Sequence, residues 1–417
     1  MGLTDLYNLI PYDGLWLDMN EATGFCNGEC PSGETNYSKK AEPITYSKNF
    51  YEFLSTNVVD DEQVQNYTWW TSYDSQNEIS TYKLPFMPGG QWNLDNMSLS
   101  LNATHPSNGL REYDVHSLFG HVEGMVTRNI LVNQTATPIK DKRTFLLSRS
   151  TFAGSGAYVQ HWLGDNNRTW SDMKNSISGV MNFNMFGIPM VGPDTCGFFG
   201  ASGEDELCGR WIQLATFYPF ARQHRDATGG GDPNEPWRLE EPYQSMAKNA
   251  LFDRLQYSRQ MYTCLFEATQ TGETCFDPLL FHYPNVNAVF ENIEETFIAA
   301  GHLKVSPVLT AGATSVDTFF PNGDWVDLTD FSNIISVNET EGGKKVTLAA
   351  PADATSTVNV HLKPGSIIQW QDNKAHTFMT TGAIQKDGTT ALIMNRDSNM
   401  HASGKVFLDG GESLSEL

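Results

Sequence analysis

Through roughly the first 300 positions, short apolar runs alternate with stretches whose apolar residues recur at three-and-four spacing. The runs fall at 15–19, 145–149, 158–164, 188–194 and 279–283. The spaced stretches are 171–186, carrying Met173, Ile177, Val180, Met181 and Met185 on one face, then 211–222 and 244–268. Strands alternating with helices in this way build a parallel sheet or barrel. Beyond residue 300 the period changes to that of strands, expected at 305–309, 316–320, 345–349, 358–362, 367–370 and 390–394. Turn signals such as Pro321-Asn322-Gly323 and Lys386-Asp387-Gly388 separate them, so this half reads as a β-sandwich. Between about 26 and 110 neither period holds, and Gly, Pro, Asn, Ser and Tyr dominate. A long aperiodic stretch directly after a strand reads as a functional loop or small subdomain overhanging a pocket.

Composition narrows the classes. With 40% hydrophobic and 12% aromatic residues, 417 residues can bury substantial cores. Acidic residues outnumber basic ones 49 to 27, for a formal charge of −22. That field repels nucleic acid and anionic membranes and favours an uncharged or cationic ligand. No apolar run reaches the roughly 18 to 20 residues of a membrane helix. Six cysteines form three local pairs, Cys26 with Cys30, Cys196 with Cys208 and Cys264 with Cys275. Close pairing suggests disulfides made in an oxidising compartment, the alternative being free buried thiols. The spacing carries no Cys-x-x-Cys or regular histidine partner, which argues against a metal. Seven Asn-x-Ser/Thr sequons occur, at Asn36, Asn66, Asn96, Asn102, Asn133, Asn167 and Asn338. The N-terminus lacks the basic start and long apolar middle of a signal peptide, so oxidised cysteines imply sequence upstream of Met1.

The densest candidate chemistry is Gly14–Glu21, Gly-Leu-Trp-Leu-Asp-Met-Asn-Glu, where an apolar run ends in carboxylates. A buried strand would deliver Asp18 to an open barrel face, with Trp16 and Met19 beside it and Glu21 in support. The same residues also fit a helix N-terminus capped by Asp18 or Asn20. The stretch from Arg149 to Asn166, another apolar approach ending in charged and polar residues, weighs against the cap. Two carboxyls on the ends of parallel strands suit glycoside chemistry. A retaining glycosidase needs them about 5 to 5.5 Å apart, one attacking the anomeric carbon and one protonating the leaving oxygen.

Trp16-Leu-Asp-Met-Asn-Glu21 resembles the nucleophile signature of glycoside hydrolase family 31. Arg149-Ser-Thr-Phe with His161-Trp-Leu-Gly-Asp-Asn166 resembles its acid/base region. Further resemblances follow in order: Gly187 to Phe198, Phe217-Tyr-Pro-Phe-Ala-Arg-Gln-His224, Asp277-Pro-Leu-Leu-Phe, and Phe407-Leu-Asp-Gly-Gly-Glu-Ser. The family holds α-glucosidases of the lysosomal and intestinal maltase type. The resemblance implies Asp18 as nucleophile and Asp165 as acid/base, with Arg149 stabilising the ionised nucleophile. It also implies polar sugar contacts from Arg149, His224 and, less directly, Asp194. Trp16, Met19, Trp162 and Phe198 would be apolar walls. It implies no metal and no organic cofactor.

The fold so implied is a (β/α)8 barrel, here its C-terminal five strands over 1–300 with the insertion at about 26–110. A proximal β-sandwich over 301–385 follows, and 386–417 would end the sandwich or begin a distal β-domain. An eightfold barrel needs three more strands, so the chain is expected to be part of a longer enzyme and to be inactive alone. The implied substrate is an α-linked gluco-oligosaccharide, cut from its non-reducing end. An α-xylosidase, a glycoprotein-trimming glucosidase and a silent carbohydrate-binding relative are the alternatives. The implied location is lysosomal, vacuolar or secreted.

Overall fold

The computed structural model describes residues 3–23, 98–99, 103–133, 142–200, 203–226, 234–338, 342–372 and 389–409. Cys26, Cys30, most of the expected insertion and the sequons at 36, 66, 96 and 102 lie outside them. The chain divides into two compact units: Met1–Leu17 with Gly124–Arg149 and Ala153–Leu417, and Asp18–Glu123 with Ser150–Phe152.

In the first unit the apolar runs become a parallel ladder, β1 (Gly14–Leu17), β2 (Phe145–Ser148) and β3 (Gln160–His161), in that order. Tyr7 of α1 (Leu3–Leu9) and Leu131 of α2 (Phe119–Asn133) cover it, packing with Leu146 and Val159 in one small core. The ladder continues past β3 through single hydrogen bonds. His161 N reaches the Met190 carbonyl at 3.4 Å and Leu163 N that of Gly192 at 3.0 Å. Beyond that segment, Phe220 N reaches the Val191 carbonyl at 3.2 Å and Thr195 N that of Arg222 at 2.8 Å. Asp194 and Arg222 form a parallel bridge. A Cβ on Gly192 would lie 1.9 Å from the Phe220 carbonyl oxygen, so the two segments approach as only glycine permits.

The fifth member of this array is therefore 220–222, and the run at 279–283, expected as a strand, is mostly the one-turn helix Leu279–His282. The expected helix at 211–222 is also corrected. Helix α4 spans Asp205–Ala215 and stops before Pro219, which has no N–H to continue the ladder. Helix α3 (Trp170–Met185) starts where Thr169 Oγ1 accepts from Asp172 N at 3.0 Å; its Met173, Ile177, Val180 and Met181 are buried as the spacing predicts, whereas Met185, its last residue, is exposed. Helix α5 (Tyr243–Thr271) ends at Gly272 in the left-handed region, φ 77°. Arg254 of α5, its pKa lowered to about 10 by burial, donates to the carbonyls of Ala215, Thr216, Tyr218 and Pro219, collecting the frayed end of α4.

The C-terminal strands are β4 (Phe276–Pro278), β5 (Phe297–Ala299), β6 (Leu303–Ser306), β7 (Ser315–Phe320), β8 (Gly323–Asp327), β9 (Ile334–Val337), β10 (Lys344–Ala349), β11 (Asn359–Leu362), β12 (Ser366–Asp372) and β13 (Thr389–Asn395). An antiparallel six-stranded sheet runs β4-β5-β6-β11-β8-β9, beside the pairs β7–β10 and β12–β13. One face of the large sheet, with Phe297, Ala299, Leu303, Val305 and Val360, shares a core with Met173, Ile177, Trp211 and Leu214 from α3 and α4. Its other face packs Ile298 and Trp325 on Phe320 and Leu348 of β7 and β10, which makes the expected sandwich. Register places Ile298, Lys304, His361 and Asp327 in one row across that inner face. Lys304 is fully buried, donating to Ser306 Oγ at 2.8 Å and Thr318 Oγ1 at 2.7 Å, with the Phe320 ring centre 4.0 Å away.

Candidate active site

Parallel strands carry their last side chains to one edge, and the site residues of the first unit gather there. Trp16 of β1 meets Trp162 edge-on at 5.5 Å and His224 at 5.3 Å between ring centres. Phe198 lies 4.9 Å from His224. Arg149, directly after β2, has its N–H on the Leu17 carbonyl at 3.1 Å and its Nη1 3.7 Å from Asp165 Oδ2. The Asn166 side chain donates to the Asp194 carbonyl at 3.0 Å and accepts from Asp194 N at 3.2 Å, tying the Asp165 loop to the next segment.

Asp194 is fully buried. Its Oδ1 accepts from Arg222 Nε at 3.1 Å and Nη2 at 2.7 Å, while Oδ2 has no hydrogen-bond partner among the described residues. Burial raises its pKa, opposed by the Arg222 charge and hydrogen bonds and by His224, with Asp165 adding to the rise. Arg222 in turn lies 4.6 Å from the Trp16 ring centre and 5.0 Å from that of Trp162, so a cation fixed by Asp194 stacks on both tryptophans. Asp194 therefore holds Arg222 in place. The sequence motif contained Arg222, but its place in an apparently helical stretch hid it; the Arg-Gln-His spacing, which sets it two residues before His224, was the available signal. His161 is held neutral, its pKa lowered to about 3 by burial, and stacks on Phe183 at 3.7 Å.

Asp18 is the next residue after β1 and opens the second unit with Met19 and Glu21. No helix begins between Asp18 and Thr23, which removes the capping alternative. Asp18 Oδ1 accepts from Met19 N at 2.8 Å, and Met19 has φ 55°. Asn20 is buried; its Oδ1 accepts from Ser150 N at 2.8 Å and its Nδ2 donates to the Ser150 carbonyl at 3.5 Å. Cys196–Cys208 and Cys264–Cys275 are disulfides as expected, the first joining the Phe198 loop to α4. Among the described residues no three His, Cys, Asp or Glu side chains are grouped to hold a metal ion, and no helix is long and apolar enough to cross a membrane.

Residues 2–264 match the TIM-barrel domain of glycosyl hydrolases family 31, and residues 272–368 match the C-terminal domain of that family. The chain belongs to glycosyl hydrolase family 31. Family 31 relatives include an alpha-glucosidase of Hordeum vulgare, 36% identical over 404 residues, covering 97% of this chain and 38% of the relative. Alpha-xylosidase 1 of Arabidopsis thaliana is 35% identical over 413 residues, with 97% and 40% covered. Among solved structures, the glucosidase II alpha subunit in its DNJ-bound form has a TM-score of 0.69 at 27% identity, covering 76% of this chain and 33% of that one. A glucose complex of a Flavobacterium johnsoniae family 31 dextranase has a TM-score of 0.58 at 27% identity, with 65% and 32% covered. The chain thus spans well under half of these relatives.

Proposed function

We propose that the protein carrying this chain is a retaining exo-α-glucosidase that removes terminal α-1,4-linked glucose from maltose-like oligosaccharides or from glycogen and starch. In this reading Asp18 attacks the anomeric carbon and Asp165 protonates the leaving oxygen, then activates water against the glycosyl-enzyme. The observation that carries it is the gathering of Trp16, Trp162, Phe198 and His224 beside the Arg149–Asp165 pair at the end of the parallel ladder. Aromatic faces take the C–H faces of a sugar ring, and a few fixed polar groups set its orientation. Met19 would add a wall and Glu21 support. The alpha-xylosidase relative keeps a second reading open, in which the terminal sugar is xylose; the glucosidase II neighbours keep open a glucosidase of that type. The two disulfides and the exposed sequons at Asn167 and Asn338 support a lysosomal, vacuolar or secreted location.

The test compares aryl α-glucoside, aryl α-xyloside and maltose on the full-length protein. Asp18→Asn is expected to lower hydrolysis of all substrates by several orders of magnitude, because the covalent step is lost. Asp165→Asn is expected to spare the glycosylation step of an activated aryl glucoside and not that of maltose, since only a poor leaving group needs the proton. Equal loss on both substrates would refute the role given to Asp165, and preference for the xyloside would select the second reading.

A further inference from the structure

Asn234 lies between the 220–222 segment and α5 and is 5% exposed. Its Oδ1 accepts from Arg168 Nη1 at 3.0 Å and from Arg225 Nη1 at 3.4 Å. Its Nδ2 donates to the Gly197 carbonyl at 3.1 Å, and its own carbonyl accepts from Gln223 Nε2 at 2.7 Å. These partners belong to three separate segments, and each is a near neighbour of a candidate site residue. Arg168 follows the Asp165 loop, Gly197 immediately precedes Phe198, and Gln223 and Arg225 flank His224. The junction has no slack: Gly197 has φ 86°, and a Cβ there would meet Arg168 Cα at 2.4 Å. Gln223 also reaches Cys196 Sγ at 3.5 Å, beside the disulfide that anchors the Phe198 loop. One side chain must here donate a hydrogen bond to a carbonyl and accept from two guanidinium groups, a combination an amide satisfies and neither a carboxylate nor an aliphatic group can.

We propose that Asn234 is a positioning residue that sets the placement of Phe198 against His224, and through them the fit of the non-reducing-end sugar. It is not a catalytic residue, for it acts only through the Gly197 backbone and the side chains flanking His224. The assignment of a sugar rests on the α-glucosidase reading; the coupling of the loops does not.

The experiment uses the full-length protein with Asn234→Ala, Asn234→Asp and, as control, Gln213→Ala. Gln213 Nε2 bonds the Ser356 carbonyl at 3.2 Å, away from these loops. Small displacements of binding groups cost on the order of 10- to 100-fold in productive binding. Asn234→Ala is therefore expected to raise KM for an aryl α-glucoside, and Ki for a glucose-configured iminosugar, about 10-fold or more, with a smaller change in kcat. Amide exchange at 196–200 and 222–226 should accelerate in the same variant. Gln213→Ala should lower the unfolding temperature and leave KM, Ki and both exchange windows alone. Asn234→Asp keeps the volume and the acceptor for the arginines but loses the donor to Gly197. Its exchange should rise at 196–200 more than at 222–226, which keeps the test readable if the alanine variant fails to fold. Unchanged exchange in both windows, or KM and Ki changes shared with Gln213→Ala, would overturn the proposal. If the wild type cleaves no α-glucoside, the activity reading fails and the exchange windows alone decide the role of Asn234.

Discussion

Two regions of the first unit bury ionisable groups, and they do so in opposite ways. At the end of the parallel ladder, buried Asp194 faces Arg222, and exposed Asp165 faces Arg149. On the inner face of the C-terminal sheet, Lys304 donates to two hydroxyls beside a phenyl ring, and the carboxylate of its row, Asp327, lies two strands away. Beside it, both ring nitrogens of His361 are buried without hydrogen-bond partners among the described residues, and its pKa is lowered to about 4, first by burial and then by Lys304. Where charge meets charge, burial fixes orientation and leaves a field that a ligand can feel. Where a cation meets mainly hydroxyls and a ring, burial loosens its hold on the proton instead of fixing a charge.

The largest effect is expected at Arg222. Arg222→Met would leave Asp194 buried and unpaired, and should destabilise by about 3 to 5 kcal/mol in denaturant titration. Adding Asp194→Leu should recover most of that stability without recovering activity. No recovery would mean that the pair is held for reasons other than mutual neutralisation. Next in size is the Cys196–Cys208 bridge, whose removal by paired serine substitution should cost about 3 kcal/mol from its short loop. The loss of substrate affinity should precede unfolding, because the bridge carries the Phe198 loop.

Third is acid. Burial lowers the pKa of His161 to about 3 and of His302 and His361 to about 4, from 6.5. As pH falls from 6.5 towards 4 the unfolded chain takes up protons that the folded chain refuses, so stability falls, by on the order of 1 kcal/mol per unit for each histidine. His302→Gln should flatten part of that slope in unfolding measured from pH 7 to 4. Smallest, and of the same sign but in a more alkaline window, is the effect of Lys304→Met. Burial pushes the Lys304 pKa well below 10.5. The unfolded chain keeps that proton up to about 10.5 and the folded chain does not, so wild-type stability rises with pH across the window. The methionine variant should lose that rise and be no less stable at pH 7, within about 1 kcal/mol.

Much of this architecture is legible in the sequence because its periods are clean. The six C-terminal strands read from alternation all exist, and α3 buries the positions that its spacing marks except Met185 in its last turn. Strands β5, β8 and β9 were missed: β5 has three residues, and β8 opens on Gly323-Asp324 with little apolar signal. The change of character placed near 300 was late, since β4 already pairs with β5 at residue 276. Asp165, Trp162 and His224 were legible as motif. Asn234 was not, because it stands in a Gly- and Pro-rich loop with no period, and its partner Gly197 is 37 positions away. Hydrogen bonds between aperiodic loops leave no trace in local pattern.

The contact at Gly192 has a consequence for how this protein can vary. The nearest neighbours of a Cβ at residue 192 are the Phe220 carbonyl and Tyr218, so any side chain there must wedge outward the backbone that carries Arg222 and His224. A single methyl group would thus act as a lever on recognition from within the sheet. Diversity in what the site accepts is then easier to reach through the loops than through this strand, where the smallest possible step is already too large.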